Sequence, residues 1–407
     1  MICFIAWDTK IAGGVQNLII NLTTHITKIG KEVTIVGYKT SHIVKMLEHN
    51  KVDFNFIDLE KYRGNDLKHK LDNKVVVFTS FSPNMGLEKL RGANPRTLYW
   101  NVFPTRLIDA NKIGPLNIRF LTRRLIKILL KNDSCIFMDK NGWDEMLGMF
   151  KSGTVTNEVN YLPVPVSLKE NSFIKRLEIT GFTEMINISY IGRGSTWKII
   201  PFIKFITSVD ANREEDRHFT FHIISQDAHK YKQYIDNLDL YNGFTFLFKN
   251  DLYGSRYEKY LEDHIDLHVA MGTAALDGAS LGIPTIVLDY SYTGMPKAYR
   301  YRWLHESSNY DLGHDASKIA NEVGSDIDQI LFPYLQNNSE PLKKISFQCY
   351  TYVKDNHDIS KVAEKLIRYS KKSTTHVKTI TNLTIVNNIM VRYLVGMLWG
   401  RKKKYGL

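Results

Sequence analysis

Apolar runs alternate with polar, glycine-bearing breaks along most of this chain, and their lengths predict strands and helices in turn. Ile2–Trp7 is apolar and short, as expected of a buried strand. A loop with Gly13 and Gly14 follows, then a helical pattern from Val15 to Ile29, then the apolar run Val33–Gly37. Strand, glycine turn, helix and strand in that order open a nucleotide-type fold and predict a parallel sheet. Further strands are expected at Phe54–Leu59, Val75–Thr79, Thr97–Val102 and Ser134–Asp139. Helices are expected over Ser41–Asn50, Asn84–Gly92 and Pro115–Asn132.

The layout then repeats. Val159–Val166 carries Pro163 and Pro165 and reads as an extended linker. Beyond it come a strand at Ile186–Ile191, the turn Gly192-Arg193-Gly194-Ser195 and a helix to Val209. Strands at Phe219–Ile224 and Phe244–Phe248 alternate with helices at Ala228–Leu238 and Tyr253–His264, and later helices are expected at Ala316–Ile330 and Ser360–Tyr369. The expected division is 1–165, 166–370 and a basic amphipathic tail at 371–407. Two such units in one α/β chain predict two facing Rossmann-like domains with a central cleft, a preferred place for small-molecule sites.

The stretch His268–Asp289 carries a denser pattern. Gly272 allows a tight turn, Thr273 is a natural helix N-cap, Ala274–Leu281 is helical, and Gly282 with Pro284 ends it before the apolar Thr285–Leu288. A helix N-terminus at the carboxyl end of a parallel strand is a ready phosphate site. Asp277, one turn in, is placed to accept from hydroxyls of whatever carries the phosphate.

Composition narrows the ligand. The 407 residues are 43% hydrophobic and 24% charged, the balance of a soluble globular protein, with a net charge of +12 that calls for an acidic partner. The three cysteines are far apart and have no metal spacing. No nucleic-acid-reading motif accompanies the charge. Met1–Trp7 lacks the basic flank of a signal peptide and no run is long enough to span a bilayer, so the expected location is cytoplasmic. Within Pro115–Asn132, Arg119, Arg123, Lys127 and Lys131 recur every four residues, with Phe120, Ile126 and Leu130 on or near that stripe. Such a face fits either solvent or an anionic membrane surface, and the apolar tail ending in Arg401-Lys402-Lys403-Lys404 reads the same way.

Three motifs in order resemble those of the retaining family four (glycosyltransferase group 1) enzymes of the GT-B fold. Gly13-Gly14-Val15-Gln16 resembles the family's first glycine loop. Gly192-Arg193 with Lys198 matches its Gly-Arg-x-x-x-x-Lys pattern. Asp277, Gly282 and Pro284 fall where the family has Leu-Glu-Ala-x-x-x-Gly-x-Pro. The resemblance runs to about Tyr369. It implies an acceptor-binding first domain, a nucleotide-sugar-binding second domain, and metal-independent transfer that needs no cofactor. Arg193, Lys198 and Asp277 would be the catalytic set. Gly13, Gly14, Gly192, Gly272, Thr273 and Ala274 would line the donor, and Ser82, Trp100 and Asn101 lie where acceptor contacts are expected. Departing nucleoside diphosphate develops negative charge, which cations and free N–H groups stabilise. Val269 stands where the family places its first glutamate.

The expected function is sugar transfer, with retention, to a lipid-linked saccharide acceptor of a cell-surface polysaccharide (lipopolysaccharide or capsule), on the inner face of the cell membrane. The alternatives are a sugar-nucleotide epimerase on the same fold and a non-catalytic nucleotide-binding relative.

Overall fold

A computed structural model describes residues 1–7, 13–81, 86–103, 106–113, 116–150, 159–178, 185–212, 217–240, 242–317, 324–336 and 339–384. The chain divides into two compact units, Met1–Pro165 with Ile359–Leu407, and Val166–Asp358. The first unit contains strands β1 (Ile2–Ala6), β2 (Val33–Gly37), β3 (Asn55–Asp58), β4 (Val75–Phe78), β5 (Arg96–Asn101), β6 (Lys112–Ile113), β7 (Leu116–Asn117) and β8 (Cys135–Phe137). Its helices up to Pro165 are α1 (Gly14–Lys28), α2 (His42–His49), α3 (Gly64–Leu71), α4 (Arg119–Lys131) and α5 (Lys140–Leu147). A parallel six-stranded sheet runs in the order β3-β2-β1-β4-β5-β8. Every side chain of β1, β2 and β4 except Gly37 is apolar or a threonine, and all are buried. That is the signature of strands covered on both faces.

The second unit repeats the order. Its strands are β9 (Met185–Ile191), β10 (His218–Ile224), β11 (Phe244–Lys249), β12 (Leu267–Ala270), β13 (Thr285–Val287) and β14 (Arg302–Trp303). Its helices are α6 (Glu170–Leu177), α7 (Thr196–Ala211), α8 (Ala228–Ile235), α9 (Gly254–His264), α10 (Ala274–Ser280), α11 (Ile327–Leu335) and α12 (Ser339–Asn356). The sheet order is β11-β10-β9-β12-β13-β14, parallel except for the last, antiparallel pair. Both sheets therefore have the doubly wound order, with a crossover on either side of the first strand. A buried aromatic stack fills the second core, in which Tyr190 lies on Phe202 at 4.0 Å and Phe221 on Phe246 at 5.4 Å.

Four expectations need correction. The second unit does not extend to residue 370, because helix α13 (Ile359–Lys372) packs on α1, β4 and β5 of the first unit. Its stripe Ile359, Val362, Ala363 and Leu366 is buried there. The expected tail is also partly built in. Thr97 donates its N–H to the Thr375 carbonyl at 2.7 Å, and helix α14 (Val377–Leu383) buries Val377 and Ile380 in the same core. Residues 385–407, with the basic cluster, lie outside the described residues. The helix expected at Pro115–Asn132 begins only at Arg119, after the β6–β7 hairpin. The helix expected at Ala316–Ile330 is α11, shifted to Ile327–Leu335, and residues 318–323 lie outside the described set.

Candidate functional site

In the second sheet, Ile191, Ala270 and Val287 are in register at the carboxyl ends of β9, β12 and β13. The loops after these strands are consequently successive neighbours along one edge, the edge at which doubly wound sheets bind ligands. The first loop is Gly192–Ser195. Its glycines are dictated by packing: a Cβ on Gly192 would lie 2.8 Å from the Tyr231 hydroxyl, and one on Gly194 would lie 2.5 Å from Asp227 Cβ. Tyr231 donates its hydroxyl to the Arg193 carbonyl at 2.8 Å, and Asp227 accepts the Gly194 N–H at 3.2 Å. The Lys230 ammonium, first, and that N–H, second, hold the Asp227 carboxyl below the usual range. The loop that presents Arg193 is thus tied down from both sides.

Helix α7 starts immediately after it. Lys198 and Ile199 donate to the Ser195 carbonyl, while among the described residues the N–H groups of Thr196 and Trp197 have no acceptor. Arg193 is exposed and Lys198 half-buried. Burial, and then the adjacent guanidinium, lower the Lys198 ammonium from 10.5 to about 8. Two neighbouring cations at an open helix N-terminus, with no acid paired to them among the described residues, make a patch of positive potential suited to a phosphate or diphosphate.

The turn after β12 differs from the expectation. Gly272 takes the left-handed conformation (φ +67°), but its N–H is already given to the Leu312 carbonyl at 2.6 Å. Ala275 and Leu276 donate back to the Gly272 and Thr273 carbonyls. Thr273 occupies the N-cap position without a side-chain bond. The Thr273 and Ala274 N–H groups remain without an acceptor among the described residues, as many as at α7, and it is Arg193 beside Lys198 that makes α7 the stronger anion site. Asp277 is half-buried on the side of α10 that faces α9. Burial, and then the Glu258 carboxylate, raise it to about 7, against the Tyr257 hydroxyl and Lys169. Val269 is fully buried in the middle of β12, paired with Tyr190 and Ile286. An acid there would sit in the apolar core, which explains the valine.

The first unit places its candidates less evenly. Gly13 is the N-cap of α1, and a Cβ on Gly14 would meet no atom of the described residues within 4 Å. Trp100 is fully buried, its indole N–H donated to the Leu162 carbonyl at 2.9 Å; it is a core residue and not an acceptor contact. Asn101 is buried at the end of β5, accepting from the Tyr99 hydroxyl at 3.2 Å, with no partner for its Nδ2 among the described residues. Ser82 lies outside the described residues. On α4, Arg119, Phe120, Arg123, Arg124, Lys127 and Lys131 are exposed, Phe120 at 68%, whereas Ile126 is buried and does not belong to that face.

Several site-edge residues escaped the sequence reading. Trp197, Tyr290 and Tyr292 come together from the first turn of α7 and the loop after β13. Asp289 is buried with Arg302, which also bonds Asp311, while His314 donates its backbone N–H to Asp289 and bonds Asp311 through Nδ1. Asp289, Asp311 and His314 have the donor atoms of a metal site, but the Arg302 guanidinium already supplies the cation between the two carboxylates. The triplet Asp326-Ile327-Asp328 has the spelling of a metal-binding Asp-x-Asp, yet it opens α11, where acids complement the helix dipole.

No protein-family model matches the sequence, and no curated protein does. Solved structures do. A glycosyltransferase from Rickettsia africae ESF-5 superposes with a TM-score of 0.59 at 12% identity, over 91% of this chain and 97% of its own. HepE of Anabaena in complex with UDP superposes at 0.56 and 10% identity, over 90% and 98%. TarM superposes at 0.56 and 10% identity, over 91% and 98%. At these identities the likeness is one of architecture, and together with the paired doubly wound sheets it establishes that this chain has the fold of the GT-B glycosyltransferases.

Proposed function

We propose that the protein is a glycosyltransferase that moves a sugar from a nucleotide-sugar donor to a glycan acceptor. The carrying observation is the Arg193–Lys198 pair at the open N-terminus of α7, at the carboxyl edge of the second sheet. Cleavage of the sugar–phosphate bond leaves charge on the nucleoside diphosphate. Arg193, Lys198 and the Thr196 and Trp197 N–H groups are there beforehand to receive it. Asp277 accepts from the ribose hydroxyls. Every group in this scheme is organic and supplied by the chain, and the reaction proceeds with retention, as the Gly-Arg-x-x-x-x-Lys resemblance implies. HepE has been captured with UDP-glucose, which makes UDP-sugars the first donors to test.

Arg193→Ala is expected to lower kcat/KM by about a hundred- to a thousandfold, with an unchanged melting temperature because the side chain is exposed. Near-normal turnover would refute the site. Mass analysis with and without acceptor separates transfer from epimerisation, since only an epimerase converts the donor alone.

We further propose that the acceptor is lipid-linked and is met at the cytoplasmic face of the membrane, for a surface polysaccharide. The exposed cationic face of α4 with Phe120 beside it and the net charge of +12 support this. No described helix is long and apolar enough to cross a membrane. Lys127→Glu with Lys131→Glu should abolish binding to phosphatidylglycerol vesicles. Binding indifferent to lipid charge and salt would remove the membrane part.

A further inference from the structure

We infer that Trp197, Tyr290 and Tyr292 form the subsite for the transferred sugar, whose pyranose ring lays its C–H face on the exposed Tyr292 ring. The inference rests on the nucleotide-sugar reading above and adds to it where the donor's sugar goes. The three rings stand within 6.0 Å of one another: 5.7 Å between Trp197 and Tyr290, 6.0 Å between Trp197 and Tyr292, and 5.6 Å between the tyrosines. Tyr290 is pinned through its backbone, donating to the His314 carbonyl and accepting from Ala316, both at 2.9 Å. Ser291 is buried and closes the turn on Gly294. This scaffold holds the backbone of Tyr292 in place while leaving the side of the residue to solvent, with 64% of it exposed.

Position selects the ligand group. The Lys198 ammonium lies 5.2 Å from the Trp197 ring, so the aromatic wall continues directly from the phosphate cations. Asp277 faces the other way, toward Tyr257 and Glu258 of α9. With the ribose at Asp277 and the diphosphate at Arg193 and Lys198, the nucleobase is attached on the α9 side. The sugar is attached to the far phosphate, beside the wall. A pyranose has an apolar C–H face that stacks on aromatic rings, and its hydroxyls are free to meet polar backbone around it.

The test measures binding of UDP, UDP-glucose, GDP and GDP-mannose to the full chain by calorimetry, for the wild type, Tyr292→Ala and Tyr292→Phe. Tyr292→Ala is expected to weaken whichever nucleotide sugar binds by roughly three- to tenfold and to leave its nucleoside diphosphate unchanged. Tyr292→Phe keeps the ring and is expected to match the wild type. Equal loss for diphosphate and nucleotide sugar would mean that the wall stacks the base, and no loss for either would mean that it touches no ligand; both overturn the inference alone. A folded wild type that binds none of the four ligands overturns the nucleotide-sugar reading and the inference with it.

Discussion

Replacing Lys198 by methionine keeps most of the apolar stem beside Trp197 and removes the ammonium. In the free protein, burial and then Arg193 bring that ammonium down from 10.5 to about 8. At ~1.4 kcal/mol per unit, holding the charge costs the folded state about 3 kcal/mol. The unfolded lysine keeps its proton up to its ordinary value, and the folded one loses it earlier. The penalty is therefore complete below pH about 8 and fades as pH rises toward 10.5. Lys198→Met should melt higher than the wild type at pH 7, and the difference should shrink above pH 8. A bound diphosphate reverses the balance, because its negative charge pulls the lysine back toward its ordinary value. Between pH 8 and 10 binding then takes up close to one proton, and affinity falls by up to about tenfold per pH unit. Asp277 titrates near 7, so measurement at pH 9 isolates the lysine. Calorimetry with UDP in two buffers of different ionisation enthalpy counts the proton. We expect nearly one for the wild type and none for Lys198→Met, which should also bind more weakly. Absence of proton uptake by the wild type at pH 9, or undiminished affinity in the variant, would refute the assignment.

Other substitutions separate packing from chemistry. Gly192→Ala drives a Cβ against the Tyr231 and Tyr190 hydroxyls and should cost about 1 to 3 kcal/mol in denaturant unfolding. Gly14→Ala meets no atom of the described residues and should leave stability intact or slightly raised; loss of turnover in it would then report ligand approach. Asp277→Asn removes an acid raised to about 7. The ionised form destabilises the folded state increasingly from pH 4 to 7, so the variant should gain about 2 to 4 kcal/mol at pH 8 and nothing at pH 4, while donor affinity falls. Asp289→Asn removes one of the two carboxylates that compensate the buried Arg302 and leaves Asp311 as the other, and thermal unfolding should show a loss of about 1 to 3 kcal/mol.

Much of this protein could be read one residue after another. The alternation of apolar runs with glycine turns is a local property, and it was enough to predict two doubly wound sheets, while the resemblance of a short motif singled out Arg193 and Lys198, only five residues apart. The helix α12 was missed because Ser346 and Cys349 interrupt its buried stripe of Leu342, Tyr350 and Val353. Other features depended on partners distant in sequence. An amphipathic stripe at Ile359–Leu366 declares that one face needs covering but not by which sheet, and only the folded chain puts it on the first unit. Gly272 looked like a phosphate turn until the Leu312 carbonyl, on another loop, took its N–H. Trp100 looked like a pocket residue because loop composition cannot reveal that Leu162 waits for its indole. The aromatic wall has no sequence signature at all: Trp197 and Tyr292 are far apart in the chain, and the register of β9, β12 and β13 is what joins them. Periodicity determined the elements, and sheet register decided which of their ends share a site.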